Sequence, residues 1–518
     1  MEFLENIIPR KYQEEIFKTC LEKNCLVVLP TGLGKTLIAL MVAIERMKEF
    51  PGKKVLFLAP TRPLAEQHLK SFTKNLPELY GSLELFTGSV NAQKRKKIWD
   101  TADIIFSTPQ CIANDIKKRF YDLSEVCLLI EDEAHRCTKN YDYTFVAKSF
   151  IENSENPRII GLTASPGSDP KKIKEIMKNL SIEEVELRTR NSPDVKIYLQ
   201  ELEFEKREVE LTKDIKEIKS ILSKIYEEYT DELKLKNFLF GPPNKINLIE
   251  LQRRLGSQIS RNLSSPASYF AISLTAQAIK ISHALELLET QTLEGFHKYM
   301  KNILGQAEKR QSKGVVKLVK REDFNFAFTK SKALTERGEE HPKVKEIIRV
   351  VRDERKRSDD PKIIIFTQFR DTASLVSKNI NRLEGVNSKI FIGQAKKEGG
   401  GLSQKEQKKI IEEFSDGKTN VICATSIGEE GLDIPEVDVV IFYEPVSSAI
   451  RFIQRRGRTA RLSKGKLIIL ITKGTKDEYA YYASHSREKK MQSSIEKIKE
   501  ELKNPKKEKN ESQKNLSM

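Results

Sequence analysis

The stretch CLVVLPTGLGKTLIALMVAIERM, Cys25 to Met47, decides the fold. Its opening run, Cys25 to Leu29, is aliphatic without interruption and predicts a strand buried on both faces. A glycine loop follows, and then the helix-periodic run Leu37 to Met47. Strand, loop and helix in that order make a phosphate cradle. Gly32 and Gly34 leave the backbone uncluttered so that successive N–H groups point inward, and the helix start adds the positive end of its dipole. The candidate phosphate-binding residues are Leu29, Pro30, Thr31, Gly32, Leu33, Gly34, Lys35 and Thr36. Lys35 is expected to reach the β and γ phosphates, and the Thr36 hydroxyl to hold a magnesium ion. Leu29 stands where such loops usually carry their first glycine, and a chance glycine-lysine turn is the plain alternative.

Working outward, residues 1–200 alternate short apolar runs with helical stretches. VLFLA (55–59), DIIFS (103–107), VCLLI (126–130) and RIIGLTA (158–164) each end in turn or cap residues. This alternation predicts an α/β domain, a parallel sheet with helices on both faces and ligand groups at the carboxyl ends of its strands. Over 201–335 the strand signal disappears. Leu211, Ile215, Ile218, Leu222, Ile225 and Tyr229 recur at steps of four and three, and a second helical pattern runs from Tyr269 to Leu288 after the break GPPNK. A basic run there, Lys309, Arg310, Lys313, Lys317, Lys320 and Arg321, reads equally as a solvated face or a phosphate-tracking surface. From 336 to 488 the alternation returns in KIIIFT, KIFIG, NVICAT, VDVVIFY and KLIILIT, predicting a second parallel sheet. The remainder, 489–518, is dominated by lysine, glutamate and asparagine and is expected to be a disordered tail.

At 518 residues the chain is too long for one core. Its 91 lysines and arginines against 74 acids give a formal net charge of +17, which favours a polyanion partner, nucleic acid before an anionic membrane surface. No apolar run approaches the roughly 20 residues that span a bilayer, and MEFLENIIPRKYQ is not a signal peptide, so a cytoplasmic, nucleoid-associated protein without membrane contact is expected. Six scattered cysteines form no CxxC pair and predict neither disulfides nor zinc.

Two further motifs carry chemistry. EDEAHR follows the strand VCLLI, about a hundred residues after the glycine loop. There Asp132 is suited to hold magnesium through water, and Glu133 to orient and deprotonate an attacking water. QRRGRTAR, Gln454 to Arg461, packs four arginines into eight residues. Arginines in fixed geometry suit the charge that spreads over a transferring phosphoryl group; a nuclear-localisation or nucleic-acid patch is the other reading.

Six ordered motifs, LPTGLGKT, APTRPLAEQ, DEAH, TASP (Thr163 to Pro166), ATSIGEEGLD (Ala424 to Asp433) and QRRGRTAR, resemble those of superfamily 2 helicases over nearly all of residues 1–488. RKYQ (Arg10 to Gln13), the helical insert and FIGQAKKEGGGLSQKEQ (Phe391 to Gln407) resemble the archaeal Hef and Fanconi anaemia M-type translocases, with RIG-I-like and Dicer helicases as the nearest rivals.

The resemblance implies two RecA-like motor domains, 1–200 and 336–488, an all-helical insert over 201–335 that clamps nucleic acid, and ATP with magnesium as cofactors. Residue by residue it implies that Arg10 and Gln13 read the adenine, Gly32 to Thr36 bind the phosphates, and Asp132 and Glu133 are the magnesium and water carboxylates. His135 would link the site to other motifs, Thr163 and Ser165 couple hydrolysis to movement, and Gly431 and Asp433 lie at the ribose. Arg458 and Arg461 would be arginine fingers with Gln454 beside them. Thr61, Arg62, Gly88, Thr108, Gln110, Gln368 and Thr425 would lie along the nucleic-acid strand, although hydroxyls and glycines at strand ends are also ordinary turn residues. The activity so implied is ATP-dependent translocation on branched or forked DNA in replication-fork repair. The alternatives are a dsRNA-activated ATPase of the RIG-I or Dicer type and a non-catalytic branched-DNA scaffold. Many Hef proteins continue into a nuclease domain; no ERK-type acidic motif is found near Met518, and a nuclease or clamp in trans is a candidate partner.

Overall fold

Seven parallel strands organise the N-terminal part: β1 (Cys25–Val28), β2 (Lys54–Leu58), β3 (Leu83–Phe86), β4 (Ile104–Ser107), β5 (Val126–Asp132), β6 (Ile159–Thr163) and β7 (Glu184–Leu187). Their spatial order is β3-β4-β2-β5-β6-β1-β7. The structure is a computed structural model, and it describes residues 8–76, 81–139, 141–198, 202–261, 265–358, 360–393, 401–425, 437–446 and 465–503. Helices α1 (Lys11–Glu22), α2 (Lys35–Glu49), α3 (Arg62–Asn75), α4 (Ala92–Thr101), α5 (Pro109–Lys117), α6 (Asp142–Asn153), α7 (Pro170–Asn179) and α8 (Pro193–Lys196) accompany the sheet. Successive strand residues point to opposite faces. Leu26, Val28, Leu56, Leu58 and Leu129 therefore enter one core, and Val27, Val55, Phe57, Leu128 and Ile130 the other. Both faces are covered, which explains why these strands read as unbroken aliphatic runs.

The second sheet has the order β10-β11-β9-β12-β13-β8, again all parallel. It contains β8 (Leu202–Val209), β9 (Ile363–Phe366), β10 (Ser388–Phe391), β11 (Val421–Ala424), β12 (Val439–Phe442) and β13 (Gly465–Thr472). Between β8 and β9 come the helices α9 (Lys213–Leu235), α10 (Lys245–Ser260), α11 (Pro266–Thr290), α12 (Leu293–Glu308), α13 (Lys313–Val319), α14 (Glu322–Glu336) and α15 (Pro342–Arg357). Helices α16 (Arg370–Ile380), α17 (Gln404–Ser415) and α18 (Lys476–Lys503) complete the described part. The α/β class with a helical insert between two parallel-sheet domains stands. The apolar stripe Leu211 to Tyr229 is buried in the bundle core with residues of α11.

Two expectations are corrected. Residues 202–209 were expected in the helical insert, but they form β8 and pair along their whole length with β13. An edge strand has a neighbour on one side only, so LEFEKREV carries its charges in ion pairs, Arg207 with Glu205 and Glu346 and Lys206 with Glu208, instead of showing an aliphatic run. The helical bundle thus starts one strand later than expected, after β8 of the second sheet and before β9. The expected disordered tail, 489–518, is corrected over its first part: helix α18 continues past 489 to Lys503, and 504–518 lie outside the described residues. Met491, Ile495 and Ile498, spaced four and three apart, form an apolar stripe buried in the core of the first domain beside Ile173, Ile176 and Met177. The chain therefore crosses between the two sheet domains and then returns.

The basic run on the bundle divides. Arg321 is tied to Asp323 and Glu228, whereas Lys309, Arg310, Lys313, Lys317 and Lys320 are exposed. All six cysteines are buried free thiols. No helix among the described residues is long and apolar enough to cross a membrane.

Candidate nucleotide site and nucleic-acid face

The glycine loop runs from β1 into α2. Gly32 (φ 84°) and Gly34 (φ 82°) both take the left-handed conformation that a side chain disfavours. A Cβ on Gly34 would also lie 2.1 Å from Gln13 Nε2, so the Gln13 amide would have to give up its place. Leu29, at the place of the usual first glycine, is fully buried and still sheet-bonded, its N–H donating to the Thr163 carbonyl at 3.0 Å. That loop position therefore needs no glycine here. Lys35 opens α2, and its Nζ donates to the Leu29 carbonyl at 2.8 Å.

Helix α1 closes over the loop. Tyr12 Oη and Gln13 Nε2 both donate to the Leu33 carbonyl, at 2.9 and 3.1 Å, and Gln13 Oε1 accepts from the Arg10 N–H at 2.8 Å. Gln13 thus has both ends of its amide engaged on protein groups. Arg10 lies over the Tyr198 ring, 5.0 Å from its centroid.

Asp132 ends β5 and is nearly buried. His68, on α3, joins it to the loop: Nε2 lies 2.8 Å from Asp132 Oδ2 and Nδ1 lies 3.4 Å from Thr36 Oγ1. Burial works to raise the Asp132 pKa, but His68 and Lys35 outweigh it and hold the carboxyl below its ordinary value. Tyr143 of α6 donates to the Asp132 carbonyl at 2.7 Å. The next residue, Glu133, turns left-handed (φ 51°, ψ 45°), a conformation that costs a non-glycine residue on the order of 1–3 kcal/mol. Its carboxylate lies 3.2 Å from His135 Nδ1, which is also 3.2 Å from Thr163 Oγ1. Thr163 in turn accepts from the Ser165 N–H at 3.1 Å, and Ser165 Oγ meets Met491 Sδ of α18 at 2.8 Å. The segments that follow β5 and β6 are therefore connected to each other and to α18.

The donor set fits magnesium. Thr36 hydroxyl and Asp132 carboxylate are hard oxygen ligands that share one imidazole neighbour. Among the described residues no group of three or more His, Cys, Asp or Glu could hold a metal ion by itself.

The expected nucleic-acid residues of the first domain sit at neighbouring strand ends. Thr61 and Arg62 follow β2 and begin α3, Gly88 follows β3, and Thr108 and Gln110 follow β4 and begin α5. Arg62 donates to Ser89 Oγ at 3.3 Å, which joins the first two motifs. Arg95 of α4 secures the Gly88 loop by donating to the Thr87 carbonyl at 3.1 Å, and pairs in its buried position with Asp115 of α5. Thr61 Oγ1 is buried without a hydrogen-bond partner. In the second domain Gln368 follows β9 and is exposed, and Thr425 follows the adjacent β11. Gly431, Asp433, Gln454, Arg458 and Arg461 lie outside the described residues.

Sequence reasoning did not select Tyr12, His68, Tyr143 or Tyr198. His68 directly follows APTRPLAEQ, but nothing in its position shows that it reaches Thr36 and Asp132.

A family model for DEAD/DEAH box helicase matches residues 10–173, and one for helicase conserved C-terminal domain matches 342–463. A third, described as "Putative ATP-dependent RNA helicase, helical bundle", matches 214–336. A Methanocaldococcus jannaschii protein described as "Putative ATP-dependent RNA helicase" is 40% identical over 487 residues, 93% of this chain and 60% of that protein. The Fanconi anemia group M protein homolog of Mus musculus is 31% identical over 95% of this chain and 26% of its own length. For the ATP-dependent DNA helicase fml1 of Schizosaccharomyces pombe the identity is 31%, over 91% of this chain and 58% of that protein. The chain thus spans about a quarter to three fifths of the length of these curated relatives. The crystal structure of the Pyrococcus furiosus Hef helicase domain is 41% identical with a TM-score of 0.71, covering 92% of this chain and 98% of that one. With the cradle, the carboxylate pair and the inserted bundle in place, the chain belongs to the DEAD/DEAH-box helicases, in the group of Hef and the Fanconi anaemia M-type helicases.

Proposed function

We propose that the protein is an ATP-driven translocase that acts on forked or branched DNA. One observation carries the reading: α3 begins at Thr61 and Arg62, the residues expected along the nucleic-acid strand, and two turns later its His68 reaches Asp132, the expected magnesium carboxylate. A shift of nucleic acid along the strand ends then moves the same rigid helix that touches the phosphate site.

In this reading Lys35 binds the β and γ phosphates, and Thr36 and Asp132 hold magnesium. Bound magnesium neutralises phosphate charge and orients the group to be transferred. Glu133 takes the proton of the attacking water on its carboxylate, with His135 fixing that carboxylate against Thr163. Arg458 and Arg461, with Gln454, supply positive charge from the second domain, and Gly431 and Asp433 lie at the ribose. Closure of the two domains on ATP and reopening after hydrolysis step the chain along the strand held by Gly88, Thr108, Gln110, Gln368 and Thr425. The exposed basic residues that follow α12 and line α13, Lys309, Arg310, Lys313 and Lys317, support a bundle that grips the duplex.

The DNA helicase descriptions of the fungal relatives favour DNA. The RNA helicase descriptions of the archaeal relative and of the bundle model favour duplex RNA as the second reading. A non-catalytic scaffold is disfavoured by Lys35, Asp132 and Glu133 standing together in one site. The test is Lys35→Ala, which abolishes ATP hydrolysis and leaves nucleic-acid binding intact; loss of both together counts against the assignment. Arg458→Ala keeps ATP binding and removes turnover, and unchanged turnover rejects it as a finger.

A further inference from the structure

His68 is 8% exposed, and its ring lies against Phe57 with centroids 4.4 Å apart. A buried histidine is most often satisfied by whatever polar groups surround it. Here the two groups are Thr36 Oγ1, at 3.4 Å from Nδ1, and Asp132 Oδ2, at 2.8 Å from Nε2. They come from α2 and β5, so the ring joins two elements of the site. The imidazole therefore bridges the Thr36 hydroxyl and the Asp132 carboxylate and takes up one oxygen of that carboxylate.

We propose that His68 is a positioning residue for the magnesium ligands, and that through α3 it couples their alignment to the nucleic-acid face. The proposal rests on the reading of Thr36 and Asp132 as the metal-facing pair. Residues that orient metal ligands typically change metal affinity by about 10- to 100-fold when removed. The coupling follows from helix geometry: Arg62 and His68 are six residues apart, about 9 Å along one rigid helix. Arg62 donates to Ser89 beside Gly88 while His68 touches the phosphate site. Movement of the helix start on binding a strand cannot leave the imidazole where it was.

The experiment uses the full chain with Mn2+ as probe, its binding read by electron paramagnetic resonance in the presence of a non-hydrolysable ATP analogue. His68→Phe retains the packing on Phe57 and removes both polar contacts; His68→Asn retains a donor and an acceptor. His68→Phe is expected to weaken Mn2+ binding at least 10-fold while changing analogue affinity in EDTA less than twofold, with His68→Asn recovering part of the loss. In both variants the stimulation of ATP hydrolysis by forked DNA or by duplex RNA falls by a larger factor than the basal rate. Mn2+ binding by a folded His68→Phe protein within twofold of the unaltered chain overturns the proposal. So does an equal loss of analogue affinity with and without metal, which is the signature of a purely structural side chain. Asp132→Asn separates the two levels of the argument: if it too leaves Mn2+ binding unchanged, the metal-site reading fails before the role of His68 arises.

Discussion

Helix α18 leaves the second domain and seats its far end in the first, and the structure says which contacts hold it there. Met491, Ile495 and Ile498 are each 3% exposed or less. Full burial of such a side chain contributes about 1.5–3 kcal/mol, so the stripe contributes on the order of 6 kcal/mol. Its ion pairs with the first domain include Lys174 with Glu501 at 2.8 Å, both about half exposed, and Lys499 with Glu186 at 3.6 Å. Exposed pairs contribute about 0–1 kcal/mol each and are screened by salt. The apolar stripe should therefore dominate. The double change Ile495→Ala and Ile498→Ala is expected to weaken docking by about 4 kcal/mol or more, since each such truncation in a core costs about 2–5 kcal/mol. Hydrogen exchange followed by mass spectrometry is the assay: protection of residues 488–503 falls by about a thousandfold, and that of α7 and β7 falls with it, while β2 and β5 remain protected. Lys174→Ala with Glu501→Ala lowers protection less than tenfold, and less again in 0.5 M salt. Equal effects of the two pairs of changes, or unaltered protection in the isoleucine double variant, would refute the reasoning that burial holds the helix.

Two further outcomes follow from local geometry. Nothing within 4 Å would meet a Cβ on exposed Gly88, and its φ is not positive. Any need for glycine there arises from a partner's close approach, so Gly88→Ala should melt like the unaltered protein and bind a nucleic-acid strand several-fold more weakly; unchanged binding in a fluorescence anisotropy titration removes Gly88 from that face. Glu131, on β5, is fully buried with the Cys137 thiol beside its carboxyl, and burial, outweighing that thiol, pushes its pKa well above the ordinary value. The folded state then holds the proton more tightly than the unfolded chain, so stability is lost as pH rises from the ordinary carboxylate pKa, about 4.3, toward the raised value. The stability of Glu131→Gln relative to the unaltered chain should therefore grow between pH 5 and pH 8 in urea titrations, and a difference that shrinks with pH contradicts a buried neutral acid.

What was legible in the chain follows from where each segment sits. Interior strands such as β2, β5, β9 and β12 are covered on both faces, so their aliphatic runs announced them to within a residue or two. The strands that went unannounced, β3, β7 and β8, all lie at sheet edges, where glutamates and lysines break up the run. The end of α18 was read as tail because three apolar side chains were lost among many charges, although their spacing of four and three carried the helix. The glycine loop, Asp132 and Glu133 were legible as motifs because their chemistry requires those residue types at strand ends. The contacts that align them were not. Tyr12, His68 and Tyr143 reach the site from helices whose placement depends on the packing of the whole sheet, and their spacing in the chain carries no trace of it.

The central claim is that this site turns ATP hydrolysis into movement on nucleic acid. It is tested most directly by the ATP hydrolysis rate of the purified chain with single-stranded, duplex, forked and four-way-junction DNA and with duplex RNA, each at two salt concentrations. The account predicts a low basal rate raised at least tenfold by forked or branched DNA, with weaker stimulation by duplex RNA. A rate that none of these nucleic acids changes would contradict it.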